Sequence, residues 1–392
     1  MTILIVGAGA AGLTAAYTLL LQNVTDFRIL EASNRIGGRL KKLEGFASFP
    51  IDLGGEWIHV QPTVLEDISQ NDRIMDSIDT IHHVAEHMVW YGPTEGFAPD
   101  HSIDYAKIPD YLFQNYTWFD FFNDTISVPA VKESIVFDCP IVTIDYSGTT
   151  DGEDPAKAIT ATCKDGTSFE GSQIIVTAPI QILQDGDIEF IPELPNKYTN
   201  AIDSIPFPGG YKIFLKFEQG FYPDIFESAL DPINLYFYNE VYGENTTTEH
   251  VLGVFVSGEW AEESAQWDDE TLLNHVVAML DEMFDGKASQ YLIDGVVQSW
   301  DREPFIRGTY SHYDNTWRQM DRLRKPINGV LYFAGEAIPA SYAKYDNGYA
   351  HGAALSGKET AERILGSGGG SAAMPWSGVF VSIVAFILAL WY

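Results

Sequence analysis

Short apolar runs separated by glycines open the chain. Residues 3–6 (ILIV) are uniformly apolar, which predicts a short buried strand. Gly7, Gly9 and Gly12 follow in the spacing GxGxxG and lead into LTAAYTLLLQ, whose composition predicts a helix. A second short segment, FRIL at 27–30, predicts another strand. This order of strand, glycine turn, helix and strand indicates the start of a βαβ unit.

The spacing of the glycines has a physical reason. Gly7 permits the tight turn, Gly9 lets a pyrophosphate approach the backbone, and Gly12 lets helix and strand pack closely. The N-terminus of the helix then faces the phosphate charge. Glu31 follows Gly12 by 19 residues, where a carboxylate accepts hydrogen bonds from an adenosine ribose. These residues predict a dinucleotide site.

Alternating patterns in the middle of the chain predict a sheet. YKIFLKF, at 211–217, alternates between two faces, so it predicts a half-buried strand. Periodicity alone makes Lys212 a solvent-facing lysine of that strand. Residues 139–146 (CPIVTIDY) and 174–180 (IIVTAPI) predict two further strands.

The last apolar run differs from the others. Residues 376–392 carry no charge, and as a helix they would rise about 25 Å at ~1.5 Å per residue, a little short of the ~30 Å hydrocarbon core. Three interpretations stay open: a membrane anchor, which we favour; a cleaved signal for a lipid anchor at the cell surface; and a helix docked on the protein. The second requires a secretory route. No signal peptide is visible, but four Asn-x-Ser/Thr sequons are compatible with that route, at Asn23, Asn115, Asn123 and Asn245.

Composition and charge narrow the class of ligand. The 392 residues are 46% apolar, enough for a large core and for two or three domains. The formal charge of −32 argues against nucleic acid and favours cationic ligands, although most of the carboxylates would only solvate the surface.

Cysteines and histidines predict no metal site. Cys139 and Cys163 are the only cysteines, so we expect neither a disulfide framework nor a cysteine-built metal site. His82, His83 and His87 form a histidine cluster without an accompanying acid motif, and we expect them on a surface helix.

The residues after Glu31 indicate which dinucleotide binds. The stretch 31–39 (EASNRIGGR) sets a second glycine pair between Arg35 and Arg39, which are able to neutralise a pyrophosphate. Here the chain resembles the flavin-dependent amine oxidase family, in which ExxxRxGGR is the second FAD fingerprint. DLGGEWIH at 52–59 is similar to the family's glycine-pair segment beside the isoalloxazine, and 331–365 to its closing motif. The resemblance is closest to polyamine oxidases.

The resemblance implies how FAD is held. Thr309 stands where members with a covalent flavin have a cysteine, so the FAD is expected to be non-covalent. Val142 would contact adenine through its backbone, and Glu336 the phosphate or ribityl region. The cofactor-binding residues that the resemblance assigns are Gly7, Gly9, Ala11, Gly12, Glu31, Ala32, Arg35, Gly38, Arg39, Gly54, Gly55, Glu56, Trp57, Val142, Trp300, Gly335, Glu336, Gly348 and Tyr349.

The same resemblance implies four catalytic residues. Lys212 matches the lysine that holds a water near flavin N5, and Tyr310 and Tyr349 match the rings that flank the substrate nitrogen. His59 would face the amine cavity. Taken singly, such tyrosines are more often core residues, and such a histidine is more often structural.

The implied function is a FAD-dependent amine oxidase acting on polyamines of the spermine or spermidine type. A hydride passes from carbon to flavin N5, O2 accepts the electrons, and the products are an aldehyde, an amine and H2O2. One alternative is an oxidase of another amine, a monoamine or an amino acid. The other is a catalytically impaired flavin-binding scaffold or redox protein, because the chain is shorter than the family between His59 and Cys139.

The predicted fold class is α/β. A doubly wound, Rossmann-like FAD domain is assembled from 1–75, 130–205 and 325–366, with an inserted α+β substrate domain from 76–129 and 206–324. A linker at 367–375 leads to the transmembrane or anchor segment 376–392, so the protein is expected to associate with a membrane.

Overall fold

The structure of the chain is a computed structural model. It describes residues 2–83, 88–92, 96–100, 110–149, 159–230, 233–242, 247–312, 317–343 and 346–366. The predicted linker and C-terminal segment (367–392), His87 and the sequon residue Asn245 lie outside the described residues. Within the described ranges, no helix has the length and apolar character that crossing a membrane requires.

Twenty strands and eleven α-helices are described. The strands are β1 (Ile3–Val6), β2 (Phe27–Leu30), β3 (Lys42–Leu43), β4 (Ile51–Asp52), β5 (Thr80–His82), β6 (Met88–Gly92), β7 (Gly96–Asp100), β8 (Tyr111–Phe113), β9 (Ile135–Val136), β10 (Ile141–Asp145), β11 (Ile159–Cys163), β12 (Ser168–Gly171), β13 (Gln173–Val176), β14 (Glu189–Ile191), β15 (Gly210–Phe217), β16 (Ile225–Leu230), β17 (Ile233–Asn239), β18 (His250–Ser257), β19 (Leu292–Ser299) and β20 (Leu331–Phe333). The helices are α1 (Ala10–Leu21), α2 (Val64–Ser69), α3 (Trp118–Asp120), α4 (Pro129–Glu133), α5 (Ile180–Gln184), α6 (Asn196–Asp203), α7 (Glu259–Ser264), α8 (Asp269–Met283), α9 (Lys287–Tyr291), α10 (Trp317–Leu323) and α11 (Ala350–Gly366).

A parallel sheet forms the dinucleotide-binding half of the molecule. Its strands follow the order β20-β13-β1-β2-β9, and β1 pairs in parallel with both β2 and β13. All five strands come from the segments predicted for the FAD domain. Helices α1 and α11 pack closely at Gly357, where an added Cβ would lie 2.0 Å from the Ala11 carbonyl oxygen. The apolar run of β1 is buried throughout, and β2 is buried except for Arg28, as expected for a sheet covered by helices.

A seven-stranded sheet, ordered β19-β15-β18-β17-β16-β6-β7, lies in the segments predicted for the substrate domain. Strand β15 is internal, between β18 and β19, and every residue except Lys216 is buried. The prediction of a half-buried strand is therefore wrong. Alternation on a strand shows two chemically different faces, but it does not show what covers the second face.

The predicted domain boundaries stay a prediction, but one apolar cluster contains residues from both predicted domains. Residues following β8, including Trp118 and Phe121, are fully buried in the same apolar cluster as Leu13 and Ala16 of α1. This aromatic stretch, predicted for the substrate segments, thus packs against the dinucleotide-binding half. These aromatic side chains pack there because burying such large apolar rings is favourable and requires many apolar neighbours.

A four-stranded sheet, β12-β11-β10-β14, adds a finding about the cysteines. Cys139 and Cys163 form a disulfide, with 5.0 Å between their Cα atoms. Antiparallel pairing of β10 with β11 brings the two residues within the span that a disulfide bridges. The expectation that the cysteines form no disulfide framework is corrected to one bridge.

His82 and His83, the two described residues of the histidine cluster, are not on a helix. His82 ends β5, which pairs antiparallel with β8, and His83 is only 4% exposed. The His83 ring lies 4.6 Å from the Trp57 ring and 4.1 Å from the Tyr242 ring. For His82 and His83 the prediction of a surface helix is wrong, because His82 belongs to β5 and aromatic neighbours cover the His83 ring. In the described part of the chain, no group of three or more His, Cys, Asp or Glu side chains has the arrangement to hold a metal.

Candidate active site

One large cavity of about 2140 Å³ contains the predicted site. It exceeds the roughly 300–1,000 Å³ that is usual for one small ligand. Its walls include Val6 and Leu30 of the parallel sheet and Lys212, Tyr238 and Phe255 of the seven-stranded sheet. Every predicted site residue except Gly12 lines it. The cavity therefore has room for a dinucleotide and a second molecule.

The glycine turn between β1 and α1 fits a pyrophosphate. A Cβ on Gly12 would lie 1.9 Å from the Gly7 carbonyl oxygen, so Gly12 serves the packing of helix against strand and does not face the cavity. Gly9 lines the cavity, and a Cβ there would meet only the Gly37 carbonyl oxygen, at 3.9 Å. Backbone thus stands open to a ligand at the start of a helix, the arrangement that suits a phosphate group.

Glu31 directly follows β2 at the wall of the cavity and is 7% exposed. Its carboxylate accepts hydrogen bonds from the Ala8 N–H (2.6 Å) and from the Ser33 N–H (2.9 Å) and hydroxyl (2.6 Å). These bonds fix the carboxylate against the glycine turn. A carboxylate has about four lone-pair sites, so acceptor capacity remains for ribose hydroxyls.

Arg35 stabilises the loop of the second fingerprint, residues 31–39, through hydrogen bonds to its backbone. Its guanidinium donates hydrogen bonds to the carbonyl oxygens of Ile36 (3.2 Å), Leu40 (3.3 Å) and Gly38 (2.8 Å). Burial lowers the pKa of Arg35, although the charges of Glu303 and Glu31 oppose that shift. The side chain therefore holds the loop's shape while placing positive charge at the cavity wall.

Glu336 joins the second fingerprint to the closing motif. It accepts hydrogen bonds from the Arg39 guanidinium (3.0 Å), from the Ser311 hydroxyl (2.6 Å) and from the Gly348 N–H (3.0 Å). Arg39 also lies over the Phe207 ring, 5.2 Å from its centroid. Glu336 thus organises three separate segments around the cavity.

Gly54 and Gly55 have different reasons to be glycine. A Cβ on Gly54 would lie 1.7 Å from the Arg39 carbonyl oxygen and 3.0 Å from the Trp300 ring. On Gly55 it would meet a Leu40 methyl group at 3.2 Å and the Ala350 Cβ at 3.7 Å, both of them side chains. Gly54 is therefore required where two chain segments cross, and only Gly55 has the freer surroundings expected of backbone that passes a ligand.

Lys212 is not the solvent-facing lysine that strand periodicity predicts. Its ammonium lies 2.6 Å from the Glu56 carboxylate and 3.3 Å from the Asp52 carbonyl oxygen, and the two paired side chains are 8% and 7% exposed. It also lies 5.6 Å from the centroid of the Tyr238 ring. The site thus contains a buried ion pair, and Glu56, predicted as a cofactor contact, has Lys212 as its partner.

His59 lies among polar and aromatic groups at the cavity wall. Its Nδ1 is 2.8 Å from the Asp110 carboxylate, and its ring centroid is 4.7 Å from that of Tyr349. Asp110 was not predicted. No local motif surrounds it, and only the pairing of Tyr111 with Ile58 brings it beside His59.

Tyr310 and Tyr349 line the same cavity from different segments. A Cβ on Gly348, which precedes Tyr349, would lie 3.3 Å from the Tyr310 ring, so the two tyrosines are neighbours. Burial raises the pKa values of both hydroxyls, which keeps them neutral at ordinary pH. Neutral rings can offer π-faces to a cation without adding a buried charge.

The fold and the cavity together define a flavin-type oxidoreductase. A family model for flavin containing amine oxidoreductases matches residues 10–115 and 123–365. The chain belongs to this family. It is accordingly a FAD-dependent amine oxidase, an oxidoreductase acting on CH–NH or CH–NH2 groups.

Several relatives share much of the chain. Polyamine oxidase 1 of Zea mays is 26% identical over 459 residues, covering 93% of this chain and 90% of that protein. The peroxisomal N(1)-acetyl-spermine/spermidine oxidase of Homo sapiens is 29% identical over 265 residues, covering 60% of this chain and 51% of that protein. The Zea mays alignment, at 459 positions, is longer than this 392-residue chain, so that relative contains stretches that this chain lacks.

Solved structures share the fold. The cyclohexylamine oxidase from Brevibacterium oxydans IH-35A superposes with a TM-score of 0.75 at 15% identity, covering 93% of this chain and 99% of that one. Wild-type putrescine oxidase bound to putrescine superposes with a TM-score of 0.74 at 16% identity, with the same coverage of the two chains.

Proposed function

We propose that this protein oxidises a polyamine of the spermine or spermidine type. The observation that carries the proposal is the meeting, in one cavity, of the dinucleotide-binding turn, the Tyr310–Tyr349 pair and the buried Lys212–Glu56 ion pair. The names of the Zea mays and human relatives support polyamines as the substrate class.

Charge supports a polycationic substrate. The carboxylates of Asp110, Glu227, Glu259 and Glu262 line the cavity in a chain of formal charge −32. Negative potential over a cleft raises the local concentration of cations, and salt screens the effect. An amino-acid substrate brings a carboxylate of its own, which these side chains would repel. A monoamine lacks the second charge that they attract.

The protein's own part in the reaction is to position the amine and to exclude a wrong orientation. Tyr310 and Tyr349 would hold the reacting nitrogen between π-faces, and His59, oriented by Asp110, would hydrogen-bond to the substrate. Lys212 would hold a water at the reaction centre. FAD, when bound, would supply the hydride acceptor and the redox chemistry with O2.

The residues present suit a non-covalent FAD. Thr309 has a hydroxyl where a thiol would be needed for attachment, and that hydroxyl donates a hydrogen bond to the Pro208 carbonyl oxygen at 2.9 Å. The open backbone at Gly9 and the fixed carboxylate of Glu31 would hold the pyrophosphate and the ribose.

An anaerobic amine panel tests the proposal. Spermine and spermidine should bleach the flavin absorbance, and air should restore it with release of H2O2, whereas a monoamine and an amino acid should react slowly. Bleaching by only the monoamine or the amino acid would replace the polyamine by another substrate. A protein that binds FAD but is bleached by no amine would be the impaired scaffold.

His59→Ala sharpens that experiment. The variant should keep the flavin spectrum nearly intact and lose about 10- to 100-fold in kcat/KM for spermidine, the value of one hydrogen bond to a charged group. His250→Ala is a suitable control, because His250 begins β18 and does not line the cavity. Equal kinetics of wild type and His59→Ala would make His59 a structural residue.

Membrane association through residues 376–392 is a further part of the proposal. Its support is the uncharged apolar sequence of that segment. A chain ending at Gly366 should leave the membrane fraction while keeping FAD, if the segment is an anchor. Loss of the segment from the mature protein, with a lipid in its place, would favour the lipid-anchor interpretation.

A further inference from the structure

A second, much smaller hollow lies next to the Lys212–Glu56 ion pair. Its volume is about 30 Å³, the share of about one water molecule in the liquid. Asp52, Glu56 and Glu240 line it, together with the segment Asn115–Thr117. Glu56 also lines the large cavity, so this residue separates the two spaces.

Two carboxyl oxygens at the hollow lack partners. Asp52 is 5% exposed, and its Oδ2 accepts a hydrogen bond from the Trp118 N–H at 3.2 Å, but its Oδ1 has no partner among the described residues. The buried Oε2 of Glu240 likewise has none in the described ranges, although the Glu240 side chain also shares a hydrogen bond with Glu56. Buried polar atoms are nearly always hydrogen-bonded, so each of these two oxygens calls for a donor or an acceptor. One water has two hydrogens and two lone pairs, enough to serve both.

Charge balance at the hollow is uneven. Three carboxyl groups, of Asp52, Glu56 and Glu240, surround the single ammonium of Lys212. Burial raises the pKa of Asp52 and that of Glu240 well above the usual range, and the charge of Glu56 raises both further. Lys212 opposes the two shifts only in part. Asp52 and Glu240 therefore keep their protons at neutral pH, and the Glu56 carboxylate lies 2.6 Å from the Lys212 ammonium.

Other titratable groups around the cluster do not restore the balance. Asp120 raises the pKa of Asp52 slightly, but its carboxylate is already paired with Lys42 at 2.6 Å. Burial keeps Tyr238 neutral by raising its pKa, and it lowers the pKa of His83 to about 4, so that His83 is neutral as well. Two further tyrosines lie beside the cluster: Tyr242 lines the hollow, and the Tyr236 ring lies 6.0 Å from the Tyr238 ring.

We propose that the hollow binds one ordered water that joins Asp52 to Glu240, and that this water and the three carboxyl groups form an internal site for the proton that the substrate ammonium releases. The role in the reaction rests on the proposed function. The step breaks one N–H bond of the ammonium, leaves its electron pair on nitrogen, and forms one O–H bond on the Glu56 carboxylate. The proton is then shared with Glu240 and the water. No oxidant or reductant is needed.

The site can be tested without an amine. Infrared spectra of the FAD-loaded protein at pH 7 should show the C=O band of a protonated carboxylic acid, which Glu240→Gln or Asp52→Asn removes in part. Glu270→Gln, an exposed carboxyl on α8, is the control that should leave the band unchanged. A high-resolution crystal structure should show one water within hydrogen-bond distance of Asp52 Oδ1 and Glu240 Oε2. A dry hollow, a bound cation, or the absence of any protonated carboxyl would overturn the site.

The role is tested by the pH dependence of anaerobic flavin reduction by spermidine. Glu240→Gln should slow reduction about tenfold at pH 6.5, where the substrate must release a proton, and much less at pH 9.5. A merely structural effect would slow the reaction by the same factor at both pH values, and that result would refute the role. If a variant fails to bind FAD, the infrared and crystallographic measurements on the wild type still decide the site. If wild type is bleached by no amine, the proposed function and the role both fail, while the site is judged separately.

Discussion

Replacing Lys212 by Met tests the contribution of the buried Lys212–Glu56 ion pair to stability. Methionine fills a similar volume but has no charge, so Glu56 keeps its place and loses its cation. Lys216→Met is a matched control on the same strand and the same face, because Lys216 pairs with Glu249 at 2.5 Å. The two pairs differ in exposure: the side chains are 8% and 7% exposed in the first pair, and 22% and 23% in the second.

The difference in exposure sets the magnitude. Removing one partner of a buried ion pair costs about 3–5 kcal/mol, because the remaining charge is left unpaired. A partly exposed pair contributes about 0–1 kcal/mol. With about 2.1 cal/mol/K of unfolding entropy per residue, the larger loss lowers the unfolding midpoint of a chain of this length by about 4–6 °C. Lys216→Met should lower it by about 1 °C or less.

The pH dependence gives a second measure of the same cause. In the Lys212 variant, Glu56 is buried without a cation and takes up a proton more readily in the folded chain than in the unfolded one. The folded state then binds more protons, so its deficit in stability shrinks as the pH falls from 8 to 5.

Thermal unfolding followed by circular dichroism, in saturating FAD and at pH 8 and pH 5, provides the assay. FAD is kept constant because a ligand of the folded state shifts the midpoint. Equal losses in the two lysine variants, or a Lys212 deficit that does not shrink at pH 5, would refute the assignment of a buried, uncompensated carboxylate.

Two further variants test other parts of the structure. Gly54→Ala should abolish FAD retention during gel filtration, because its Cβ would lie 1.7 Å from the Arg39 carbonyl oxygen. Gly55→Ala should retain at least part of the flavin. Equal retention by the two variants would contradict the close crossing of the Gly54 and Arg39 segments. Burial lowers the pKa of His83 to about 4, so the unfolded chain, with a pKa near 6.5, takes up a proton first, and the folded state loses stability as the pH falls through that window. The free energy of unfolding should fall by about 2 kcal/mol by pH 5 because of His83. His83→Phe should lack this fall when unfolded by urea. The same pH dependence in both proteins would show that His83 is charged in the folded state.

Sequence alone determined the cofactor half of this protein. Strand β1, the glycine turn, helix α1 and strand β2 follow from local patterns, and Gly7, Gly9 and Glu31 line the cavity. The reason is that a phosphate-binding turn is built from consecutive residues, whose backbone freedom is encoded where it is used. The family resemblance extended the same set to Glu336 and Tyr349 at the other end of the chain.

Tertiary structure decided what surrounds those residues. The burial of Lys212, the pairing of Lys212 with Glu56, and the contact of His59 with Asp110 each join segments that are far apart in sequence. Strand periodicity showed that Lys212 and Tyr211 occupy opposite faces, but whether a face meets water or protein depends on the neighbouring elements. The charge of a side chain likewise belongs to its surroundings, since burial and nearby carboxylates determine which groups around Lys212 keep their protons.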